Sequence, residues 1–230
     1  MRRVAVACAL ALLPMAAAGQ SPAPAAPPPS RGDTLSTFWV GRLEFGENKG
    51  EDCGDVGQDL VRLVSRASSI HVQEERKLQL ADDALFETPF VFMNGHNDFV
   101  LSEAELANLR LYLGHGGFAF ASGCCTNPEF PAAWKREMSR VFPGEAVRTI
   151  PYDHLLYRSF YKMDRVRSAN GDRDILLEGL FHQGDLVAVI GEDGLCCSFT
   201  MDNRCNRGRG VLPDDAKKIA LNVAVYALTH

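Results

Sequence analysis

Residues 90–124 read FVFMNGHNDFVLSEAELANLRLYLGHGGFAFASGC, and this stretch decides the fold class. It contains two short apolar runs, FVFM at 90–93 and FAFA at 118–121, each typical of a strand buried on both faces. Between them, Ser102 and Glu105 have the spacing of a helix capping box, and the leucines that follow recur at helical spacing. The stretch therefore predicts two parallel strands joined by a helix.

The same alternation of strands and helices continues on both sides of this unit. Further strands are predicted at 37–45, from Ile70, at 147–150, 176–181 and 186–190, and further helices after Asp55, after Asn127 and over 213–228. The strands at 176–181 and 186–190 form a hairpin about Gln183-Gly184-Asp185. Buried strands alternating with amphipathic helices predict an α/β fold of the three-layer flavodoxin-like kind, with a mostly parallel sheet and helices on both faces.

The N-terminus has the three-part pattern of a secretory signal peptide. Arg2 and Arg3 precede an apolar run over 4–13, and the small residues at 16–18 follow. The run of about ten residues is half the ~20 needed to span a membrane, so cleavage rather than anchoring is expected. We interpret 1–20 as signal peptide, 21–35 as a Pro/Ala-rich spacer, and 36–230 as one domain with no membrane span. The protein is therefore expected to be periplasmic or secreted.

Charge and motifs argue against two classes of partner. The chain carries 24 basic and 29 acidic residues, a net charge of −5, and loss of Arg2 and Arg3 with the signal peptide leaves 22 against 29, or −7. An acidic domain without a basic run does not favour nucleic acid. The loop over 46–57 has no G-x-G-x-x-G pattern and carries four acidic residues, so no nucleotide or other cofactor is predicted.

Candidate binding residues follow the predicted strands. In parallel sheets, ligands bind beyond the carboxyl ends of the strands, where the segments at 94–98, 122–125, 151–154 and 191–197 are expected to converge. An envelope protein or a small ligand is the expected partner. Candidate pocket residues are His96, Asn97, Arg204 and Arg207, the arginines because guanidinium groups suit carboxylates and phosphates.

Residues 90–124 also resemble the core of glutamine-amidotransferase-like domains, in which a strand and a glycine turn precede a helix and a GG-led strand. More narrowly, residues 38–228 resemble the uncharacterised bacterial domain-of-unknown-function family 4159. The matching motifs include the segment at 89–96, the helix and strand at 102–120, and Pro151-Tyr152-Asp153-His154. This resemblance implies a flavodoxin-like fold and no particular reaction.

Six cysteines remain after removal of Cys8 with the signal peptide, and an even number in an exported protein suggests disulfides. The candidates are Cys53, Cys124, Cys125, Cys196, Cys197 and Cys205. Six cysteines allow fifteen complete pairings. Adjacent cysteines rarely bond to each other, so a link between the region of Cys124 and Cys125 and the region of Cys196 and Cys197 is a reasonable expectation.

Two other chemistries remain open for these residues. In a cysteine-dependent hydrolase or amidase, Cys124 or Cys125 would attack and His154, oriented by Asp153, would be the base. The Gly-x-Cys-x-Gly elbow of true amidotransferases is absent. In a metal-binding protein, thiolates and imidazoles would bind zinc or copper(I), although no C-x-x-C or H-x-x-x-H spacing occurs and no metal site is assigned. The candidate ligands are His96, Cys124, Cys125, His154, Cys196 and Cys197. A non-catalytic binding domain of the cell envelope is the favoured hypothesis.

Overall fold

The computed structural model describes residues 37–46, 55–200 and 208–230. The strands are β1 Thr37–Glu44, β2 His71–Gln79, β3 Phe90–Gly95, β4 Phe118–Gly123, β5 Val147–Thr149, β6 Glu178–His182 and β7 Asp185–Gly191. The helices are α1 Val56–Ala67, α2 Glu103–Gly114, α3 Glu129–Val141, α4 Leu195–Phe199 and α5 Pro213–Thr229. Short 3₁₀ turns occupy Asp83–Glu87 and Leu155–Arg158.

The strands form one sheet in the order β2-β1-β3-β4-β7-β6-β5. All pairings from β2 to β7 are parallel, whereas β6 runs antiparallel to both β7 and β5. The carboxyl ends of β1, β2, β3, β4 and β7 therefore meet at one edge of the sheet, which we call the carboxyl edge. The opposite edge, where these strands begin, is the amino edge.

Side-chain alternation along the central strands divides the core into two layers. Phe90 and Phe92 of β3 pack on the side of α1 and α5, whereas Val91 and Met93 pack on the side of α2 and α3. Because every residue of β3 is buried, both faces of the sheet are covered by helices. The expected three-layer flavodoxin-like architecture is confirmed.

Local signals in the sequence are also confirmed. Ser102 accepts a hydrogen bond from the amide of Glu105, whose carboxylate accepts one from the amide of Ser102, so the capping box at the start of α2 is complete. At the β6–β7 hairpin, Gln183 and Gly184 have φ of 53° and 100°, as a two-residue primed turn requires. None of the described helices is long and apolar enough to cross a membrane.

The segment between β5 and β6 packs on the face of the sheet that carries α5, and two tyrosine hydroxyls hold it there. The hydroxyl of Tyr152 donates to the carbonyl of Ile175 (2.8 Å) and accepts from the amide of Val166 (2.9 Å). The hydroxyl of Tyr157 accepts from the amide of Leu177 (3.0 Å). These bonds satisfy backbone groups that no neighbouring strand reaches.

Candidate functional site

The carboxyl ends of β4 and β7 lie side by side, with Ser122 opposite Gly191 in the parallel ladder. The turns that follow these strands are joined directly, because the amide of Cys196 donates to the hydroxyl of Ser122 at 2.9 Å. Residues 122–126 and 192–197 therefore meet, as expected from the positions of the two strands. This meeting point is the most distinctive part of the carboxyl edge.

Four cysteines, which we call the cysteine cluster, lie at this point: Cys124, Cys125, Cys196 and Cys197. The Sγ atoms of Cys124 and Cys196 are 3.4 Å apart, and those of Cys125 and Cys197 are 3.7 Å apart. The Sγ atoms of Cys196 and Cys197 are separated by 3.9 Å. The structure thus brings together the two regions that the sequence analysis expected to be linked.

The cluster has a buried part and an accessible part. Cys124, Cys196 and Cys197 are fully buried, whereas Cys125 is partly exposed. Inside the fold, the Nδ2 of Asn94 donates to the Sγ of Cys124 (3.3 Å). A thiol at the position of Cys124 is enclosed by protein and has no direct approach from solvent.

The backbone at Cys125 is held in an unusual conformation. Cys125 and Thr126 have φ of 53° and 58°, in the left-handed region that costs a non-glycine residue about 1–2 kcal/mol. This turn directs the amide of Cys125 at the Sγ of Cys197, which accepts a hydrogen bond at 3.2 Å. A Cβ built on Gly208 would lie 2.7 Å from the Sγ of Cys125, so only glycine lets the segment at 208 cover this thiol.

The structure does not assemble the expected cysteine–histidine pair. The ring of His154 lies 5.6 Å from that of Tyr226, and Tyr226 packs at 5.8 Å on Phe118, the first residue of β4. Cys124 follows the last residue of the same strand, so roughly 16 Å of strand separates the two levels. His154 therefore lies at the amino edge and Cys124 at the carboxyl edge.

The expected support of His154 by Asp153 is also replaced by other contacts. The Nδ1 of His154 accepts a hydrogen bond from the amide of Leu156 (3.2 Å), which caps the 3₁₀ turn. Asp153 is exposed, and its backbone carbonyl accepts from Arg158. Burial lowers the pKa of His154, and the charge of Asp153 only partly opposes this effect. Among the described contacts, His154 has the role of a capping group.

The other candidate residues fall into two groups. His96 is half-buried and Asn97 is exposed, and both follow β3 at the carboxyl edge. This turn adjoins the cysteine cluster, because the amide of Cys124 donates to the carbonyl of Gly95 (2.8 Å). The remaining candidates lie outside the described residues: Arg204, Arg207, Cys53 and Cys205.

The metal hypothesis took its candidate ligands from His96, His154 and the four residues of the cysteine cluster. Over residues 37–46, 55–200 and 208–230, no group of three or more His, Cys, Asp or Glu side chains is placed to hold a metal ion. The amino-edge position of His154 explains why this residue cannot contribute to such a site.

Sequence reasoning missed a buried carboxylate that stabilises the turn after β3. Glu137 on α3 is fully buried, and its carboxylate accepts hydrogen bonds from the Nε of Arg136 (2.8 Å), the Nη1 of Arg140 (2.5 Å) and the amide of Leu101 (3.1 Å). The two arginines also donate to the carbonyls of Phe99 and Leu101. The available signal was an acidic residue on the apolar face of a helix.

A second missed cluster lies beside the end of β7. Lys135 of α3 forms ion pairs with Glu178 (2.5 Å) and with Glu192, which directly follows β7. Burial raises the pKa of Glu192, and a hydrogen bond shared with Glu178 raises it further, against the influence of Lys135. No spacing in the sequence indicates this cluster, because Lys135, Glu178 and Glu192 come from three separate segments of the chain.

Comparisons with known proteins identify the family and no function. No curated protein sequence matches the chain. A family model described as a domain of unknown function (DUF4159) matches residues 40–228, which include every described strand and helix except the ends of β1 and α5. The matched range covers the sheet, both helical layers and the cysteine cluster. The chain belongs to the DUF4159 family.

Proposed function

We propose that the protein is an exported, non-catalytic binding module of the cell envelope, built as an amidotransferase-like variant of the flavodoxin-like fold. The observation that carries this proposal is the separation of the buried Cys124 from His154 by the length of β4. A thiol nucleophile needs a base within hydrogen-bond reach. Without that base, the carboxyl edge keeps the position of a ligand site but lacks the predicted catalytic pair.

The carboxyl edge has the rigidity that favours binding. The turn at 98–102 is held by Arg136 and Arg140, and the turn at 122–126 is joined to α4 through Ser122. Groups held in place before a partner arrives lose less conformational entropy on binding. His96 and Asn97 lie between these two anchored turns and are accessible. They are the residues that we expect a protein or small ligand to contact.

The cell envelope is supported by the N-terminal sequence. Residues 1–20 have the pattern of a cleavable signal peptide, and the spacer at 21–35 would separate the domain from the cleavage site. N-terminal sequencing of the protein recovered from the envelope fraction tests this part. We expect a mature chain that begins close to residue 20. A chain that retains Met1 and stays in the cytoplasm would contradict export.

A photo-crosslinking amino acid tests the binding surface. It is placed at Asn97 on the carboxyl edge or, as a matched control, at Glu74, an exposed residue of β2 at the border of the sheet. After illumination of cells that export the protein, intact mass should show an adduct of a protein or a small molecule at position 97 only. Equal labelling at both positions, or none at position 97, would contradict the proposed site.

The non-catalytic part has a separate test. The purified protein should hydrolyse a chromogenic ester no faster than its Cys124→Ala and Cys125→Ala variants do. Hydrolysis that either substitution abolishes would restore the cysteine hydrolase as the better hypothesis. This assay needs no knowledge of the natural ligand.

A further inference from the structure

We propose that the cysteine cluster forms two stacked disulfides with different roles: an inner structural bond, Cys124–Cys196, and an outer bond, Cys125–Cys197, that exchanges with external thiols. This inference goes beyond the binding function, because it assigns a thiol–disulfide exchange site to the same edge of the sheet. Its external substrate is a dithiol or a disulfide, carried by a protein or by a small molecule.

The pairing follows from the contacts between the two turns. Each pair joins residues 72 positions apart, and the pairs run in the same order along both turns. A disulfide has an S–S distance of about 2.05 Å, so sulfurs at 3.4 and 3.7 Å need only a small side-chain movement to bond. The 3.9 Å contact between Cys196 and Cys197 joins adjacent residues, which rarely form a disulfide.

Accessibility assigns the two roles. Both sulfurs of the inner pair belong to fully buried residues, whereas Cys125 of the outer pair is partly exposed. An external thiolate must reach a sulfur along the axis of the disulfide, and exposure limits that attack. Cys125 is therefore the sulfur that an external thiolate attacks, and Cys197 is the leaving group. The strained backbone at Cys125 and Thr126 further distinguishes this turn from the regular strand before it.

Either disulfide alone supplies most of the stabilisation that the two supply together, so the outer bond can open without unfolding the protein. The first cross-link between these turns removes the closure entropy of a loop of 72 residues from the unfolded chain. The second then joins residues that are already neighbours, so it adds little further constraint. The inner bond alone should preserve the fold while the outer bond is exchanged.

The exchange is balanced by an external dithiol. Its first thiolate attacks the Sγ of Cys125, the bond between Cys125 and Cys197 breaks, and Cys197 leaves as a thiolate. The second external thiolate then attacks its partner sulfur in the mixed disulfide and releases Cys125. The external dithiol becomes a disulfide, and its two protons end on Cys125 and Cys197. An external disulfide reverses the reaction and reforms the outer bond.

Differential alkylation of the mature full-length protein tests the assignment. The protein is oxidised with oxidised glutathione and treated briefly with low concentrations of dithiothreitol. The reaction is then quenched with acid, and the protein is alkylated in denaturant, so that buried thiols also react, and mapped by peptide mass spectrometry. We expect label on Cys125 and Cys197 at least tenfold faster than on Cys124 and Cys196. Crossed pairs, bonds to Cys53 or Cys205, or equal rates for both pairs would overturn the proposal.

Double substitutions test the redundancy. Removing the outer pair (Cys125→Ala with Cys197→Ala) or the inner pair (Cys124→Ala with Cys196→Ala) should lower Tm by only a few degrees. Removing all four cysteines should lower it by roughly 10 °C, and the fully reduced wild type should match this value. If each double substitution lowered Tm by half of the decrease seen when all four cysteines are removed, the two bonds would be additive and the redundancy would be refuted. The labelling order of the wild type decides the roles even where a variant fails to fold.

Discussion

The Nη1 of Arg140 lies 2.5 Å from the Oε2 of Glu137, one turn earlier on α3, and the carboxylate of Glu137 is completely buried. This pair connects α3 to the turn after β3, because Glu137 also accepts from the amide of Leu101 and Arg140 donates to the carbonyl of the same residue. A helix of the α2–α3 layer thereby fixes the segment that follows the candidate residues His96 and Asn97.

Removal of this carboxylate should weaken the fold markedly. We expect Glu137→Ala to lower the free energy of unfolding by about 2–4 kcal/mol, since Leu101 loses its buried acceptor and Arg136 and Arg140 each lose their buried carboxylate partner. The control is Glu103→Gln, because Glu103 pairs with Arg140 from an 89% exposed position and should contribute about 0.5 kcal/mol or less. Urea unfolding measures both. Similar losses in the two variants would show that burial of Glu137 does not matter.

The ion pair between Arg167 and Asp215 should make stability depend on pH. The two guanidinium hydrogen bonds from Arg167 hold the pKa of Asp215 below its usual value. A depressed carboxyl pKa stabilises the native state above pH of about 4, and this stabilisation is lost as pH falls through the native-state pKa. We expect Asp215→Asn to lower the free energy of unfolding by about 1–2 kcal/mol at pH 7, a modest amount because Arg167 is half exposed. At pH 3 the loss should be much smaller.

The matched control for this pH dependence is Asp214→Asn. Asp214 occupies the same first turn of α5 but is exposed. Urea unfolding from pH 3 to pH 7 should give parallel curves for Asp214→Asn and wild type, and a flatter curve for Asp215→Asn. A curve for Asp215→Asn that stays parallel to wild type would mean that the ion pair does not contribute.

A buried amide on α5 should hold the chain after the second 3₁₀ turn. The Oδ1 of Asn222 accepts from the amides of Phe160 (3.1 Å) and Tyr161 (2.7 Å), and its Nδ2 donates to the carbonyl of Tyr161 (2.9 Å). We expect Asn222→Ala to lower the free energy of unfolding by about 2–3 kcal/mol and to accelerate hydrogen exchange at the amides of Phe160 and Tyr161. Thr229→Ala on the same helix removes an exposed side-chain bond and should change neither value appreciably.

The cover over Cys125 should depend on a glycine. A Cβ on Gly208 would lie 2.6 Å from the Cα of Cys125, so Gly208→Ala should push this segment away from the thiol. We expect alkylation of Cys125 in the reduced protein to become several-fold faster than in wild type. The control is Gly114→Ala, where a Cβ has its nearest neighbour at 4.0 Å. An unchanged rate for Gly208→Ala would show that this segment does not limit access.

Single strands, helix caps and turns could be predicted from the sequence, because each depends on residues that are close together along the chain. The runs at 90–93 and 118–121 are apolar at every position, as expected for strands that are buried on both faces of a parallel sheet. The helix α2 between them indicates a right-handed crossover from one parallel strand to the next. The Ser102 capping box and the Gln183-Gly184 turn are likewise local. These features were sufficient to predict the fold class and the carboxyl edge.

The position of His154 could not be predicted from local sequence patterns. Residues 151–154 follow a strand, so the topology alone predicted a place at the carboxyl edge. The ring of His154 instead packs on Phe181, which pairs with Leu186 at the start of β7, and on Tyr226, so it lies toward the amino edge. Phe181 and Tyr226 lie 27 and 72 residues further along the chain, and no spacing rule in the sequence connects them with His154.

The sequence by itself determined the α/β architecture and the order of its central elements. It also predicted that the two cysteine-containing turns would lie near each other. Periodicity and turn chemistry encode these properties locally. The tertiary structure alone decided which cysteine faces which, that Cys125 is the accessible thiol, and that His154 lies away from Cys124. These relationships depend on the register between β4 and β7 and on side-chain packing across the sheet, where residues distant in sequence compete for the same space.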